Sequence, residues 1–210
     1  MTDDVKRTPA GGQARTRLAR RAVIDAARSL FLERGYAATT VAAISRRAEV
    51  PEPTVYRLFS SKLGILKALL DVSIAGDDEP VAVRERAGVV ALLDEPDPRR
   101  VLAGLAAVTT NINLRTNDLY NMLSRAADSD SGAAVLVGTL REQRERGQGH
   151  IVRTLHRQHR LRAGLSARDA SDIVHALMSP EVFRLLVTDR GWTAERYEQW
   201  ISDVLAQQLL

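Results

Sequence analysis

A short segment near the N-terminus carries side chains whose chemistry suits contacts with nucleic acid. Within nine residues it places a hydroxyl, a phenol, a guanidinium and an ammonium, at Thr54, Tyr56, Arg57 and Lys62. Hydroxyl and phenol groups bind phosphate oxygens, and a guanidinium also binds the acceptor edge of guanine. Val55 and Phe59 lie four residues apart and define an apolar face, which leaves Tyr56 on the exposed side of a helix. These residues predict a helix that binds double-stranded DNA.

The preceding residues predict the elements that would position this segment. Thr39 or Thr40 can cap a first short helix. A turn follows at residues 49–51, and Pro53 suits the first turn of a second short helix, where its missing N–H costs little. Two short helices joined by a tight turn form a helix-turn-helix, whose second helix lies in the DNA major groove.

Further cations near this motif could bind phosphate. Lys62 stands at the predicted start of the next helix, where a cation opposes the helix dipole. That cost disappears if a phosphate sits there, so we interpret Lys62 as a phosphate clamp, with a solvated lysine as the alternative. A basic group precedes or opens helix one: Arg15, Arg17, Arg20 and Arg21. It could form an arm that reaches the minor groove, or a solvated basic tail.

The charge distribution supports a nucleic-acid partner. Residues 1–62 carry twelve Lys and Arg against six Asp and Glu, whereas the remainder of the chain is slightly acidic. A phosphate-binding module needs such a local excess of positive charge. With no cysteine, the chain cannot form a disulfide scaffold, a zinc ribbon or a thiol nucleophile. We found no signal peptide and no apolar run of membrane-spanning length, so we expect a cytoplasmic protein without a membrane partner.

The hydrophobic periodicity predicts an all-α protein, with an N-terminal three-helix helix-turn-helix domain and a C-terminal helical domain. We expect a disordered arm over residues 1–14, the DNA-binding domain over 15–62, a linking helix over 62–76 and a second domain over 77–210. Helix one should run from about Arg15 to Arg34 and end at Gly35. The later helical blocks are predicted at residues 81–93, 98–125, 131–159, 167–187 and 194–209, with a kink or break at 147–149.

From about Arg20 to Leu70 the sequence resembles the TetR/AcrR family of transcriptional regulators. The matching positions of the family pattern are Ala48, Val50, Thr54, Val55, Tyr56, Phe59 and Lys62. The resemblance implies phosphate contacts from Thr40, Thr54, Tyr56 and Lys62, and base contacts from Glu52, Pro53, Thr54 and Arg57. Arg46 completes the expected DNA-binding set. The chain departs from the family at Glu49, where a turn glycine is common, at Leu58, where histidine is common, and at Leu63-Gly64, which replace an acidic residue.

The rest of the chain resembles the family in architecture, which implies a dimer formed by the last two helices and an enclosed small-molecule pocket. The expected dimer interface comprises Ile173, Val174, Leu177, Trp200, Ile201, Val204 and Leu205, although some of these must serve an intramolecular core. The expected pocket residues are Asn113, Tyr120, Met122, His175 and Phe183, each of which could equally be an ordinary surface or core residue. We expect no cofactor, but a small-molecule effector of unknown identity.

Catalysis and metal binding are not expected. His156 and His159 are three residues apart, but no nearby Glu, Asp or Cys completes a ligand set and the flanking arginines would repel a cation. We see no phosphate-binding glycine loop, serine elbow or paired carboxylates. The sequence therefore predicts a homodimeric, ligand-responsive regulator of a palindromic operator, with repression expected from the family. The alternative is a ligand-independent architectural DNA-binding dimer, and an enzyme ranks third.

Overall fold

The computed structural model describes residues 10–77 and 82–210. Over these residues the chain forms helices and loops without a β-strand, as the all-α prediction required. The chain divides into two compact units, Met1–Leu70 and Asp71–Leu210. The division falls inside the helix that the sequence placed between the two predicted domains.

The first unit contains helices α1 (Ala10–Ala38), α2 (Val41–Ala48), α3 (Glu52–Phe59) and the start of α4 (Lys62–Ala75). Its core consists of apolar side chains from all four helices, among them Val23, Ala27, Leu30, Phe31, Ile44, Val55, Phe59, Ile65, Leu66 and Leu69. Gly35 interrupts α1 with φ 79° and ψ 171°. A left-handed φ at this position favours glycine, so the predicted stop at Gly35 is a break followed by one more short turn.

The N-terminal boundary of helix one was predicted too late. The structure places residues 10–14 in α1, so the predicted disorder is wrong there, whereas residues 1–9 lie outside the described part of the chain. The Thr16 hydroxyl donates to the Gly12 carbonyl oxygen at 2.9 Å, which ties this first turn to the next. Extending a helix that is already anchored by its buried face needs no new nucleation, which explains why Gly11 and Gly12 do not end it.

The second unit contains the rest of α4, a 3-10 turn (Val83–Glu85), α5 (Ala87–Asp94), α6 (Pro98–Ala127) and α7 (Ser131–Arg157). It continues with α8 (Ala167–Leu177), α9 (Pro180–Phe183), a π-helical segment (Arg184–Asp189) and α10 (Ala194–Leu209). Five helices in this unit begin with a side chain that accepts a hydrogen bond from the first turn: Asp97, Asp130, Ser166, Ser179 and Thr193. The caps fix the helix starts, and the core lies between α6, α7, α8 and α10.

Three predicted helical blocks differ from the structure. The block at 167–187 is broken at Ser179-Pro180, because proline lacks an N–H and pushes the preceding residue out of the helical region; Ser179 has φ −70° and ψ 150°. In the block at 81–93, Val81 lies outside the described residues, and the α-helix begins only at Ala87 after the 3-10 turn. The glycines at 147 and 149 do not break α7, which runs continuously from Ser131 to Arg157.

The end of α4 is fastened within the second unit by a side chain of α6. Arg115 donates from Nε to the Ser73 carbonyl oxygen at 2.8 Å and from Nη2 to the Ile74 carbonyl oxygen at 3.1 Å. The last carbonyl oxygens of a helix have no hydrogen-bond donor within it, so the Arg115 guanidinium supplies donors to them. Its positive charge also interacts favourably with the negative end of the helix dipole. Burial is the main cause that lowers the pKa of Arg115 below its ordinary value.

Candidate nucleic-acid interface and ligand site

The entry to the helix-turn-helix is built by two neighbouring threonines with separate roles. The Thr39 side chain is fully buried, and its hydroxyl donates to the Gly35 carbonyl oxygen at 2.8 Å and lies 3.1 Å from the Leu30 carbonyl oxygen. Thr40 caps α2, accepting from the Ala43 N–H at 3.1 Å. Since Thr40 is exposed and uses its oxygen as the acceptor, its O–H can point outward from the start of α2.

The turn between α2 and α3 is held by reciprocal hydrogen bonds. The Ser45 hydroxyl donates to the Val50 carbonyl oxygen at 2.6 Å, and the Val50 N–H donates to the Ser45 carbonyl oxygen at 3.1 Å. Glu49, where the sequence departs from the family, adopts the left-handed conformation with φ 55° and ψ 33°. A residue with a Cβ is strained there by about 1–2 kcal/mol. The turn thus keeps a geometry that glycine would adopt more easily.

Helix α3 presents the predicted residues on its outer side. Val55 and Phe59 are buried at 1% and 6% exposure, whereas the Tyr56 residue is 48% exposed. Glu52, Pro53 and Arg57 are also exposed, and Thr54 is half-buried. The predicted division of α3 into an apolar and an outward side is confirmed, and the contacts of these residues with DNA remain a prediction.

Lys62 occupies a more specific place than the sequence indicated. Its Nζ donates to the Tyr36 carbonyl oxygen at 2.8 Å and lies 4.2 Å from the centre of the Tyr36 ring. Lys62 therefore joins the start of α4 to the end of α1, and the solvated-lysine alternative is wrong. A cation over an aromatic face is attracted by the ring quadrupole. Sequence reasoning missed Tyr36, because the contact joins residues that are 26 positions apart.

Close packing also explains Gly64, which belongs to another departure from the family. A Cβ at this position would collide with the carbonyl oxygen of Phe59, the last residue of α3. The Ser61 hydroxyl oxygen accepts from the Gly64 N–H at 3.0 Å and so closes the first turn of α4. Gly64 is needed because α4 begins against the backbone of α3.

The arginines near the start of the chain, for which the sequence left an arm or a solvated tail open, lie in a regular helix. All four, Arg15, Arg17, Arg20 and Arg21, lie within α1, so an extended arm at these positions is wrong. The Arg20 guanidinium lies 5.0 Å from the centre of the Phe59 ring, which places it beside α3. Arg46 is exposed on α2, whereas its neighbour Arg47 is bound to Glu33 at 2.9 and 3.2 Å.

The five predicted pocket residues do not line one shared surface. Asn113 and Tyr120 are buried on one face of α6, but Met122 is only half-buried and lies on the opposite side of that helix from Asn113. Phe183 is 2% exposed and packs edge-on against the Tyr197 ring with the centroids 5.0 Å apart, so it belongs to the core. Met122 and Phe183 are therefore corrected to ordinary packing residues.

Tyr120 and His175 are instead joined by two residues that sequence reasoning missed. The Tyr120 hydroxyl lies 3.3 Å from Glu181 Oε1, and Glu181 Oε2 lies 3.9 Å from Arg144 Nη1. Arg144 Nη2 lies 3.0 Å from His175 Nε2. Arg144 and Glu181 have no distinctive sequence motif, and only the packing of α6, α7, α8 and α9 brings these four residues together.

Burial shifts the pKa values of this cluster. It is the main cause that lowers the pKa of Arg144 and raises the pKa of Tyr120 and of Tyr197. It also lowers the pKa of His175, which the adjacent Arg144 cation lowers further. In each case burial disfavours the charged form.

Two open surface hollows of the described chain lie elsewhere. One is bordered by Gly12, Gln13, Thr16 and Arg17 of α1, and the other by residues 156–165 around the loop after α7. Neither contains any of the five predicted pocket residues. Among the described residues no group of three or more His, Asp or Glu is placed to hold a metal ion.

The predicted dimer residues separate into two sets. Val174, Ile201 and Leu205 are at most 1% exposed in the core of their own chain, so they cannot contact a partner and the prediction is wrong for them. Ile173, Leu177, Trp200 and Val204 are half-buried and keep part of their apolar surface accessible. The stripe on each helix is apolar as predicted, but its more central residues serve the intramolecular core.

No described helix is both long enough and apolar enough to cross a membrane.

Comparison with known proteins found matches to the first unit of the chain. Residues 23–69 match the family model of "Bacterial regulatory proteins, tetR family". Over 48 residues the chain is 44% identical to the HTH-type transcriptional regulator YvkB of Bacillus subtilis. That match covers 23% of this chain and 25% of the relative, so only about a quarter of the relative's length is matched.

Two solved structures share the fold of nearly the whole chain. NalD, the secondary repressor of the MexAB-OprM multidrug efflux pump in Pseudomonas aeruginosa, is 21% identical with a TM-score of 0.71, over 93% of this chain and 98% of that one. The transcriptional regulator FadR from Bacillus subtilis, in complex with stearoyl-CoA, is 17% identical with a TM-score of 0.67, over 88% and 96%. At such identities the likeness concerns the fold. Residues 23–69 thus match the tetR family of bacterial regulatory proteins, and the chain shares the fold of these two regulators.

Proposed function

We propose that this protein is a transcriptional repressor that binds a palindromic operator as a homodimer and releases it when a small molecule binds the second unit. The observation that carries the proposal is the outward side of α3, where Tyr56 and Arg57 are exposed beside the start of α4. In this proposal Thr40, Thr54, Tyr56 and Lys62 hold phosphates, while Glu52, Pro53, Thr54 and Arg57 meet base edges and Arg46 adds a basic contact. Such a protein acts on chromosomal DNA in the cytoplasm.

Dimerisation is supported by the apolar surface left on α8 and α10. Ile173, Leu177, Trp200 and Val204 stay partly accessible there, and Leu185 in the π-helical segment is 51% exposed. A two-fold pair of recognition helices would read half-sites about 34–36 Å apart or somewhat more, which requires a palindromic operator.

Ligand responsiveness is supported by the complex of FadR with stearoyl-CoA, which has the same fold. Helix α4 offers a route of communication, because it begins in the helix-turn-helix unit and its last carbonyls are held by Arg115 of α6. A ligand that favours a different position of α6 would change DNA affinity by its differential affinity for the two states.

The test is selection of binding sites from fragmented genomic DNA with the purified protein at physiological salt. A recovered palindrome bound at nanomolar concentration would support the proposal. Uniform recovery with a steep salt dependence and no response to ligands would favour a ligand-independent architectural protein instead.

Variants of α3 separate positioning contacts from sequence readout. Tyr56→Ala should weaken binding to every sequence, because the phenol is expected on phosphate. Arg57→Ala should cost about 1–3 kcal/mol on the selected site and also relax the sequence preference at one position. Glu142→Gln, on the exposed side of α7, serves as a control that leaves the helix-turn-helix unit intact. Unchanged affinity of the Tyr56→Ala variant would contradict this placement of α3.

A further inference from the structure

The second unit contains a group of buried polar atoms without hydrogen-bond partners among the described residues. They include Arg144 Nε, His175 Nδ1, Tyr197 Oη, Asn113 Nδ2 and Gln148 Oε1. Tyr197, Asn113 and Gln148 are 1%, 3% and 7% exposed, so their polar atoms lie deep in the protein. Buried polar groups in native proteins are nearly always paired, and several unpaired ones in one region require an explanation.

These atoms are carried by helices that converge on Arg144. Its guanidinium contacts His175 of α8 at 3.0 Å and interacts electrostatically with Tyr197 of α10. Gln148 lies one helical turn after Arg144, on the same face of α7. Asn113 lies two turns before Tyr120, on the same face of α6, and Tyr120 in turn contacts Glu181. We refer to Arg144, His175, Tyr197, Asn113 and Gln148 as the buried polar cluster.

The cluster has more to donate than to accept. Arg144 and Asn113 offer N–H groups and Tyr197 offers an O–H, whereas among the unpaired atoms the Gln148 oxygen can only accept. Burial and the Arg144 charge favour neutral His175, which accepts from Arg144 at Nε2 and then carries its proton on Nδ1. The unpaired donors of the cluster therefore lack hydrogen-bond acceptors, which a bound acceptor-rich group would supply.

The charge balance points in the same direction. The Arg144 side chain is only 17% exposed, and the acid nearest to it, Glu181, lies 3.9 Å away with a side chain 53% exposed. A second cation, Arg141, acts on Arg144 and His175, and a second acid, Glu145, acts on His175, but both lie on the exposed side of α7. Solvent screens the exposed charges, whereas the buried guanidinium needs a close counter-charge.

We infer that the buried polar cluster binds the carboxylate of the effector, with the Arg144 guanidinium as its charge partner and the Tyr197 hydroxyl as a further donor. A planar guanidinium matches a carboxylate with two parallel hydrogen bonds. The rest of the molecule is apolar, because Tyr197 packs against Phe183 in the hydrophobic core. This inference rests on the proposed function, in which the second unit receives a small molecule, and adds the chemical class of that molecule.

The experiment compares octanoate with octanamide, which has the same chain length but no charge. Trp200 reports binding through its fluorescence, because its ring lies 6.2 Å from the Tyr197 ring. The wild-type protein is expected to bind octanoate at least tenfold more tightly than octanamide. Arg144→Met should abolish that preference, while Arg146→Met, which removes an exposed arginine of the same helix, should keep it.

Tyr197→Phe removes one hydroxyl from the cluster and keeps the ring. Because this change is small, the variant tests the site even if Arg144→Met does not fold. It should bind octanoate several-fold more weakly and leave octanamide unchanged. Equal binding of the two molecules by the wild type, no binding of octanoate, or a preference that survives Arg144→Met would overturn the inference.

Operator binding, measured in the same samples, separates this inference from the proposed function. If octanamide releases operator DNA as well as octanoate does, the ligand-responsive regulator stands and the carboxylate site is refuted. If octanoate binds through Arg144 without changing operator affinity, the carboxylate site stands and ligand responsiveness is refuted.

Discussion

The Lys62 ammonium donates a hydrogen bond to the Tyr36 carbonyl oxygen at 2.8 Å and lies 4.2 Å from the centre of the Tyr36 ring. This pair joins the end of α1 to the start of α4, so the residue expected to hold phosphate also helps to hold the helix-turn-helix unit together. A lysine that acted on DNA alone would have no effect on folding.

Replacing Lys62 by Met should therefore destabilise the protein by about 1–2 kcal/mol, since a hydrogen bond to a charged group and a cation–π contact are both lost. Urea unfolding monitored by circular dichroism measures the change. Arg57→Ala is the matched control, because it removes an exposed cation of α3 and should weaken DNA binding without lowering stability. An unfolding midpoint of Lys62→Met equal to that of the wild type would show that the contact contributes nothing to folding.

Glu49 is the position where a substitution should stabilise the protein. Its φ of 55° costs a residue with a Cβ about 1–2 kcal/mol, while glycine avoids this strain but loses about 0.5–1 kcal/mol through greater freedom of the unfolded chain. Glu49→Gly should thus raise the free energy of unfolding by about 0.5–1 kcal/mol. Thermal unfolding provides the measurement, with Glu49→Val expected to lower the midpoint. If the glycine variant melts below the wild type, the strain argument is wrong.

The sequence was sufficient to predict the helix-turn-helix, because the residues that determine it lie close together in the chain. The cap at Thr40, the turn at Glu49 and the apolar pair Val55 and Phe59 act within a few residues of one another. Pro180 itself also signals the break, whereas hydrophobic periodicity alone predicts a single helical block across it. The π-helical segment that follows could not be read, because no local pattern of residues distinguishes it from an α-helix.

The second unit shows what periodicity leaves undecided. An apolar stripe tells which side of a helix is buried, but not whether the burying surface belongs to the same chain. Val174 and Leu205 were therefore assigned to a partner, although they are fully buried in their own chain. Arg144 was not predicted as a site residue, because a lone arginine in a charged helix is usually solvated. Its burial depends on the packing of other helices around it.

His175 should make stability depend on pH. Burial and the Arg144 cation lower its pKa in the folded protein below the ordinary value of 6.5. Between the folded and the unfolded pKa, the unfolded chain binds a proton at His175 that the folded chain does not bind. The contribution of His175 to the free energy of unfolding is therefore fully present above about pH 6.5 and falls as the pH decreases toward the folded pKa. The cations facing His175 are Arg144 and Arg141, and the acids are Glu145 and Glu181.

Melting temperatures of the wild type and His175→Gln between pH 7.5 and 5.5 measure this contribution. The glutamine variant can accept from Arg144 but cannot be protonated, so its melting temperature should fall less on acidification. His150→Gln, which changes an exposed histidine of α7, should follow the wild type. Parallel curves for the wild type and His175→Gln would mean that His175 titrates alike in both states.

Two neighbouring residues of α10 should separate assembly from folding. Val204 is half-buried, so Val204→Glu places a charge on the surface proposed for the dimer and should give a folded monomer. Leu205 is fully buried in the core, so Leu205→Ala should cost about 2–5 kcal/mol of stability and leave the association of the remaining folded protein unchanged. Sedimentation velocity measures the association and urea unfolding the stability. Because the two positions are adjacent in one helix, a Val204→Glu protein that still sediments as a dimer would place the interface on another surface than that of α8 and α10.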